Sequence, residues 1–119
     1  MQIHSIRPFI GTTNFEVSKL FYNTVGFEEI SISPILSVFK MNGIAFYLQD
    51  AYVKDWIDNT MVFVEVDNAA DFYAYLLSKN ITQQFPEAQL KPVHYQPWGA
   101  ECFLHDPSGI LWHFGHFNV

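Results

Sequence analysis

The sequence is one pattern written twice, and few folds accept such a pattern. Shifted by 54 residues, Arg7 falls on Met61, Asn14 on Asn68 and Gly26 on Asn80. Later the shift becomes 66, because a Pro-rich loop near residues 86–97 adds length; Gly43 then falls on Gly109 and "GIAFY" on "GILWH". Each half reads as strand, helix and three strands. A lone half would leave one sheet face bare, so two halves pair to close a core and create a cavity.

Local signals agree with that reading. Asn14 is a good N-cap for a helix carrying Phe15, Val17, Leu20, Phe21 and Val25, and Gly26 stands where a terminal glycine belongs. The second helix is capped by Asp67 or Asn68, carries Ala69, Phe72, Tyr73, Leu76 and Leu77, and ends at Asn80. "FEEISIS", "ILSVFKM" and "IAFYLQD" read as strands, the last two joined by an Asn42-Gly43 hairpin turn. "TQQFPEAQLKPVHYQPWG" reads as a loop-rich stretch. Beyond it, "AECFLH" and "ILWHFGHF" are strands joined by a type I turn at Asp106-Pro107-Ser108-Gly109.

Composition narrows the function. The 119 residues fit one domain, with repeat 1 at about 1–57 and repeat 2 at about 58–119. Twelve Phe, six Tyr and three Trp exceed the needs of a minimal core, so some rings are available to line a cavity or an interface. Six Lys and Arg against a net charge of −6 argue against a nucleic-acid or anionic-membrane partner, and permit a cationic one. The single cysteine, Cys102, excludes an internal disulfide and a multi-thiolate metal site; Glu101 and Phe103 beside it do nothing to activate it. The start "MQIHSIRPFI" lacks the pattern of a signal peptide, and no run approaches eighteen apolar residues, so the expectation is a soluble cytoplasmic protein.

The tandem arrangement, with "SKLFYNTVGFE", "VDNAADFYAYL" and "PWGAECFLHDPSGILWHFGHF", resembles the vicinal oxygen chelate superfamily of glyoxalases, extradiol dioxygenases and bleomycin resistance proteins. Trp-Gly before a strand and an Asp-Pro-x-Gly turn look most like the bleomycin-resistance branch. The resemblance implies an α+β fold in which two βαβββ modules form a curved, half-open mixed sheet around a central cavity. It also implies a homodimer that holds a small-molecule ligand in clefts shared between subunits.

In metal-dependent members, four inward positions supply the ligands; their matches here are Arg7, Tyr47, Met61 and His113. Arg does not deprotonate in a protein, and a thioether and a phenol suit neither zinc nor magnesium. Only His113 is competent, so no metal cofactor is expected. Strand alternation separates His113 from His116, and His4 from Arg7. His94 lies in the loop-rich stretch; a relocated set of His94, Glu101, His105 and His113 is the alternative.

The expected ligand walls are Phe9, Phe39, Tyr47, Phe63, Tyr95 and Trp98, with Arg7, Glu101 and His113 as polar groups. Phe9 and Phe63 read equally well as core. Trp56, between the halves, could cover a cavity mouth or an interface. An inward Arg7 favours an anionic ligand or an internal salt bridge to Glu65 or Glu101. The leading function is metal-free sequestration of an aromatic or amphipathic molecule, cationic antibiotics included. The alternatives are a glyoxalase- or dioxygenase-like enzyme with relocated ligands, and a metal-independent lyase or isomerase with His113 as its catalytic base.

Overall fold

Each repeat builds its own sheet. The computed structural model describes residues 1–119. The first half holds β1 (Phe9–Ile10), α1 (Phe15–Val25), β2 (Glu28–Ser33), β3 (Leu36–Met41) and β4 (Ile44–Gln49). A short helix, α2 (Lys54–Asn59), leads to β5 (Met61–Glu65), α3 (Ala69–Ser78), α4 (Ile81–Gln84), β6 (Gln89–Gln96), β7 (Gly99–His105) and β8 (Leu111–Phe117). The mixed sheet is realised as two four-stranded sheets, ordered β1-β4-β3-β2 and β5-β8-β7-β6. In each, the first strand runs parallel to the last and the other pairs are antiparallel. The repeat reaches the register itself. Phe9 stands beside Tyr47, and their equivalents Phe63 and His113 stand beside each other.

The caps form as the sequence implies. Asn14 Oδ1 accepts from Val17 N at 3.1 Å, and Asn68 Oδ1, not Asp67, accepts from Asp71 N at 3.0 Å. Gly26 leaves α1 at φ 122° and Asn80 leaves α3 at φ 52°.

One core of 18 buried residues joins the modules. The Tyr22 ring of α1 packs against Phe39 and Phe46 of the first sheet and Trp112 of the second. Phe72 of α3 stacks on Phe114 with centroids 4.5 Å apart. Because strand side chains alternate, every core residue on β4 and β8 has neighbours that point to the opposite, helix-free face.

A buried polar network locks α1 to the β7–β8 turn. Tyr22 donates its hydroxyl to Asp106 Oδ2 at 2.6 Å and accepts from Trp112 Nε1 at 2.9 Å. Asp106 Oδ1 accepts from the backbone N–H groups of Ser108, Gly109 and Ile110, each at 2.9 Å. Burial raises the Asp106 carboxyl above its ordinary range, although these hydrogen bonds pull it back. Burial, and then the Asp106 charge, holds the Tyr22 phenol well above its usual value.

The loop-rich reading of residues 82–99 is corrected: the segment contains the end of α4 and all of β6. Pro92 hid the strand. It is tolerated because β6 is an edge strand and because the register shifts between Lys91 and His94, a β-bulge.

Candidate functional site

The two helix-free faces gather most of the candidate residues. On the second sheet, register puts Phe63, His113, Phe103, Glu101 and His94 on one face. Gly115 lies opposite Glu101 and offers no side chain, so the carboxylate reaches diagonally to His113. Glu101 Oε1 and His113 Nδ1 are 2.8 Å apart, with their side chains 11% and 20% exposed. Next to this pair is a cluster of partly exposed rings. Trp98 lies 5.3 Å from Phe117 and 6.3 Å from Phe63, and Phe63 lies 5.7 Å from Phe117. The Asn118 N–H donates to the Trp98 carbonyl at 2.8 Å, fixing the loop that carries the indole.

On the first sheet, Phe9 stacks on Tyr47 at 4.7 Å, and the Arg7 guanidinium carbon lies 5.8 Å from the centre of the Tyr47 ring. Arg7 makes no salt bridge to Glu65 or Glu101. Those carboxylates belong to the other sheet, and Glu101 already serves His113.

Three buried polar atoms of the chain lack a hydrogen-bond partner: Arg7 Nε, His105 Nδ1 and His113 Nε2. Two of them, on His105 and His113, lie on the open face of the second sheet, and the third stands beside Tyr47 on the open side of the first. Leaving such a group unsatisfied costs about 1–3 kcal/mol, so these positions are poised for a partner. Burial lowers the His105 imidazole below its usual value, helped by the charges of Lys91 and His113.

No protein-family model and no curated protein matches the sequence. The likeness lies in the fold. A bleomycin-binding protein complexed with bleomycin superposes with a TM-score of 0.80 at 17% identity, covering 96% of this chain and 98% of that one. A bleomycin resistance determinant encoded on transposon Tn5 gives 0.80 at 18%, covering 97% and 98%. TnmS3, an antibiotic-binding protein from Streptomyces sp. CB03234, gives 0.76 at 18%, covering 99% of each chain. This chain has the bleomycin-binding-protein fold.

The four residues expected at metal-ligand positions, Arg7, Tyr47, Met61 and His113, are a set whose side chains do not fit a metal. Tyr47 lies on the first sheet, Arg7 just before β1 beside it, and Met61 and His113 on the second sheet. His113 has one ring nitrogen engaged by Glu101. The relocated set fares no better. His94, Glu101, His105 and His113 share a face, yet no three His, Cys, Asp or Glu side chains converge closely enough to hold an ion. His116 points the other way, as alternation requires, and its Nδ1 accepts from Ala69 N at 2.9 Å at the start of α3.

Two expected wall residues are corrected. Phe39 is fully buried against Tyr22 and Phe46 in the helix-side core, because the hairpin sets Val38, not Phe39, beside Tyr47. Tyr95 pairs with Ala100 and so faces away from Glu101; the bulge near Pro92 reverses the alternation and brings His94 to the open face instead. Trp56 stands 66% exposed on α2, and no aromatic ring pairs with it. Sequence reasoning missed Phe117 and Phe103, although counting by twos from His113 and Glu101 reaches both.

Proposed function

We propose that this chain is a metal-free, cytoplasmic small-molecule binding protein of the bleomycin-resistance type. Two copies close the Arg7–Phe9–Tyr47 face of one subunit over the Phe63–Trp98–Phe117 face of the other. An aromatic or amphipathic ligand, a cationic antibiotic among them, is held between these faces and leaves unchanged. The observation that carries this reading is the placement of all three unpartnered buried polar atoms at the ring-lined open sides of the sheets. Rings supply stacking area, and Arg7 Nε, His105 Nδ1 and His113 Nε2 supply the few polar contacts that fix orientation. The fold shared with proteins described as binding bleomycin or another antibiotic supports the ligand class.

The test is sedimentation of the purified chain followed by titration with bleomycin while tryptophan emission is monitored, with Trp98→Ala as the control that separates Trp98 from Trp56 and Trp112. A dimer whose emission changes saturably is expected. A monomer with unchanged emission contradicts the shared cleft.

One observation favours a second reading. Glu101 orients His113 in the way a carboxylate orients a catalytic histidine, leaving Nε2 free to accept a proton. That arrangement suits a metal-independent lyase or isomerase. Conversion of the bound molecule, abolished by His113→Gln, would establish it in place of sequestration.

A further inference from the structure

A groove of the chain lies away from both open faces, on the helix side between the modules. It encloses about 640 Å³, within the roughly 300–1,000 Å³ typical of small-molecule sites. Phe72, Tyr75 and Phe114 give it an aromatic wall, and Val64 and Met41 extend the apolar surface. Asp67 and Asp71 also line it, no lysine or arginine does, and neither carboxylate takes part in an ion pair. The wall is held in place: the Tyr75 hydroxyl donates to the Val25 carbonyl at 2.6 Å, and it fits there because Gly26 lacks a Cβ that would collide with it.

Apolar volume, aromatic faces and uncompensated negative charge occur together in one groove. That combination selects a ligand with an apolar body and a positive head, since rings and carboxylates both attract a cation and the apolar walls favour a hydrophobic body. We propose that this groove is a second ligand site, separate from the cleft between open faces, that takes a small hydrophobic organic cation.

Benzyltrimethylammonium is the probe, read by chemical-shift changes at the backbone amides of the intact protein. Saturable shifts are expected at Gly26, Asn42, Val66 and Asn68, all groove residues. Neutral benzyl alcohol and anionic benzenesulfonate should bind roughly ten-fold more weakly or worse, given the few-fold effect of each exposed charge. Asp67→Asn combined with Asp71→Asn should weaken the cation about as much. Because Asp71 lies in the first turn of α3, Asp67→Asn alone, outside the helix, is the second variant and should cause a smaller loss in the same direction. Trp98→Ala should leave these shifts intact. Equal binding of the neutral and cationic compounds, shifts confined to the Trp98 face, or no saturation at millimolar probe would each overturn the proposal.

Discussion

Replacing Tyr22 with phenylalanine removes one oxygen atom and tests how the second sheet is held. The ring remains, with its contacts to Phe21, Phe27, Phe46 and Trp112. Two hydrogen bonds disappear: the 2.6 Å bond to the Asp106 carboxylate and the 2.9 Å bond from the Trp112 indole. Losing a bond to a charged group costs about 1.5–3 kcal/mol, and leaving the buried indole N–H without a partner costs about 1–3 kcal/mol. Removal of a buried hydroxyl returns part of this, so the net loss is about 3 kcal/mol. An unfolding entropy near 2.1 cal/mol/K per residue over 119 residues converts that into a melting point lower by about 12 °C. The pH dependence has a definite sign. Asp106 is already held above the ordinary carboxylate range, so its stabilising contribution is present below the unfolded value and is lost as pH rises through the folded value. The Tyr22 bond lowers that folded value, and its removal raises it further. The deficit of Tyr22→Phe is therefore full at neutral pH and shrinks as the solution is acidified. Calorimetric melts at several pH values measure it. A shift under about 3 °C at neutral pH, or a deficit that grows in acid, would refute the reasoning.

Other outcomes follow from the same geometry. Trp98→Ala should weaken bleomycin binding by roughly ten-fold or more, the scale of a central aromatic contact, whereas Tyr95→Ala should leave it unchanged in the same titration. Gly115→Ala would place a Cβ 2.8 Å from Phe63 Cζ and 3.0 Å from the Ala100 carbonyl oxygen. Overpacking of this kind costs about 1–3 kcal/mol, so denaturant melts should show that loss together with weaker ligand binding through the displaced Phe63. Cys102 is buried and its thiol is pushed up to about 11; a disulfide reagent at pH 8 should modify it only as fast as the chain unfolds, and rapid labelling of the folded protein would contradict that placement.

Much of the fold was legible because its signals are local. The Asn14 and Asn68 caps, the left-handed exits at Gly26 and Asn80, and the Asn42-Gly43 hairpin turn each act within a few residues. The repeat made the equivalence of the two halves legible, and the structure keeps that equivalence in its pairing, with Phe9 beside Tyr47 matched by Phe63 beside His113. Side-chain facing was harder to read. The two-residue hairpin already implies that Phe39 lies opposite Phe46, so its burial could have been deduced from the turn. Tyr95 could not be placed in that way, since its facing depends on a bulge whose position beside Pro92 is set by pairing with β7. Asp106 looked like a turn residue and is one, but its second role, accepting from Tyr22, depends on how α1 docks across both sheets. The acidic groove likewise exists only where α3 meets the β3–β4 hairpin, a contact between modules that neither repeat encodes alone.

Calorimetric titration of the purified protein with bleomycin bears most directly on sequestration. The expected result is saturable heat with one ligand per subunit, the drug recovered intact, and the affinity lowered roughly ten-fold or more by Trp98→Ala. A folded protein that gives no heat at high micromolar bleomycin, or that carries near-stoichiometric zinc, nickel, manganese or iron and transforms what it binds, contradicts it.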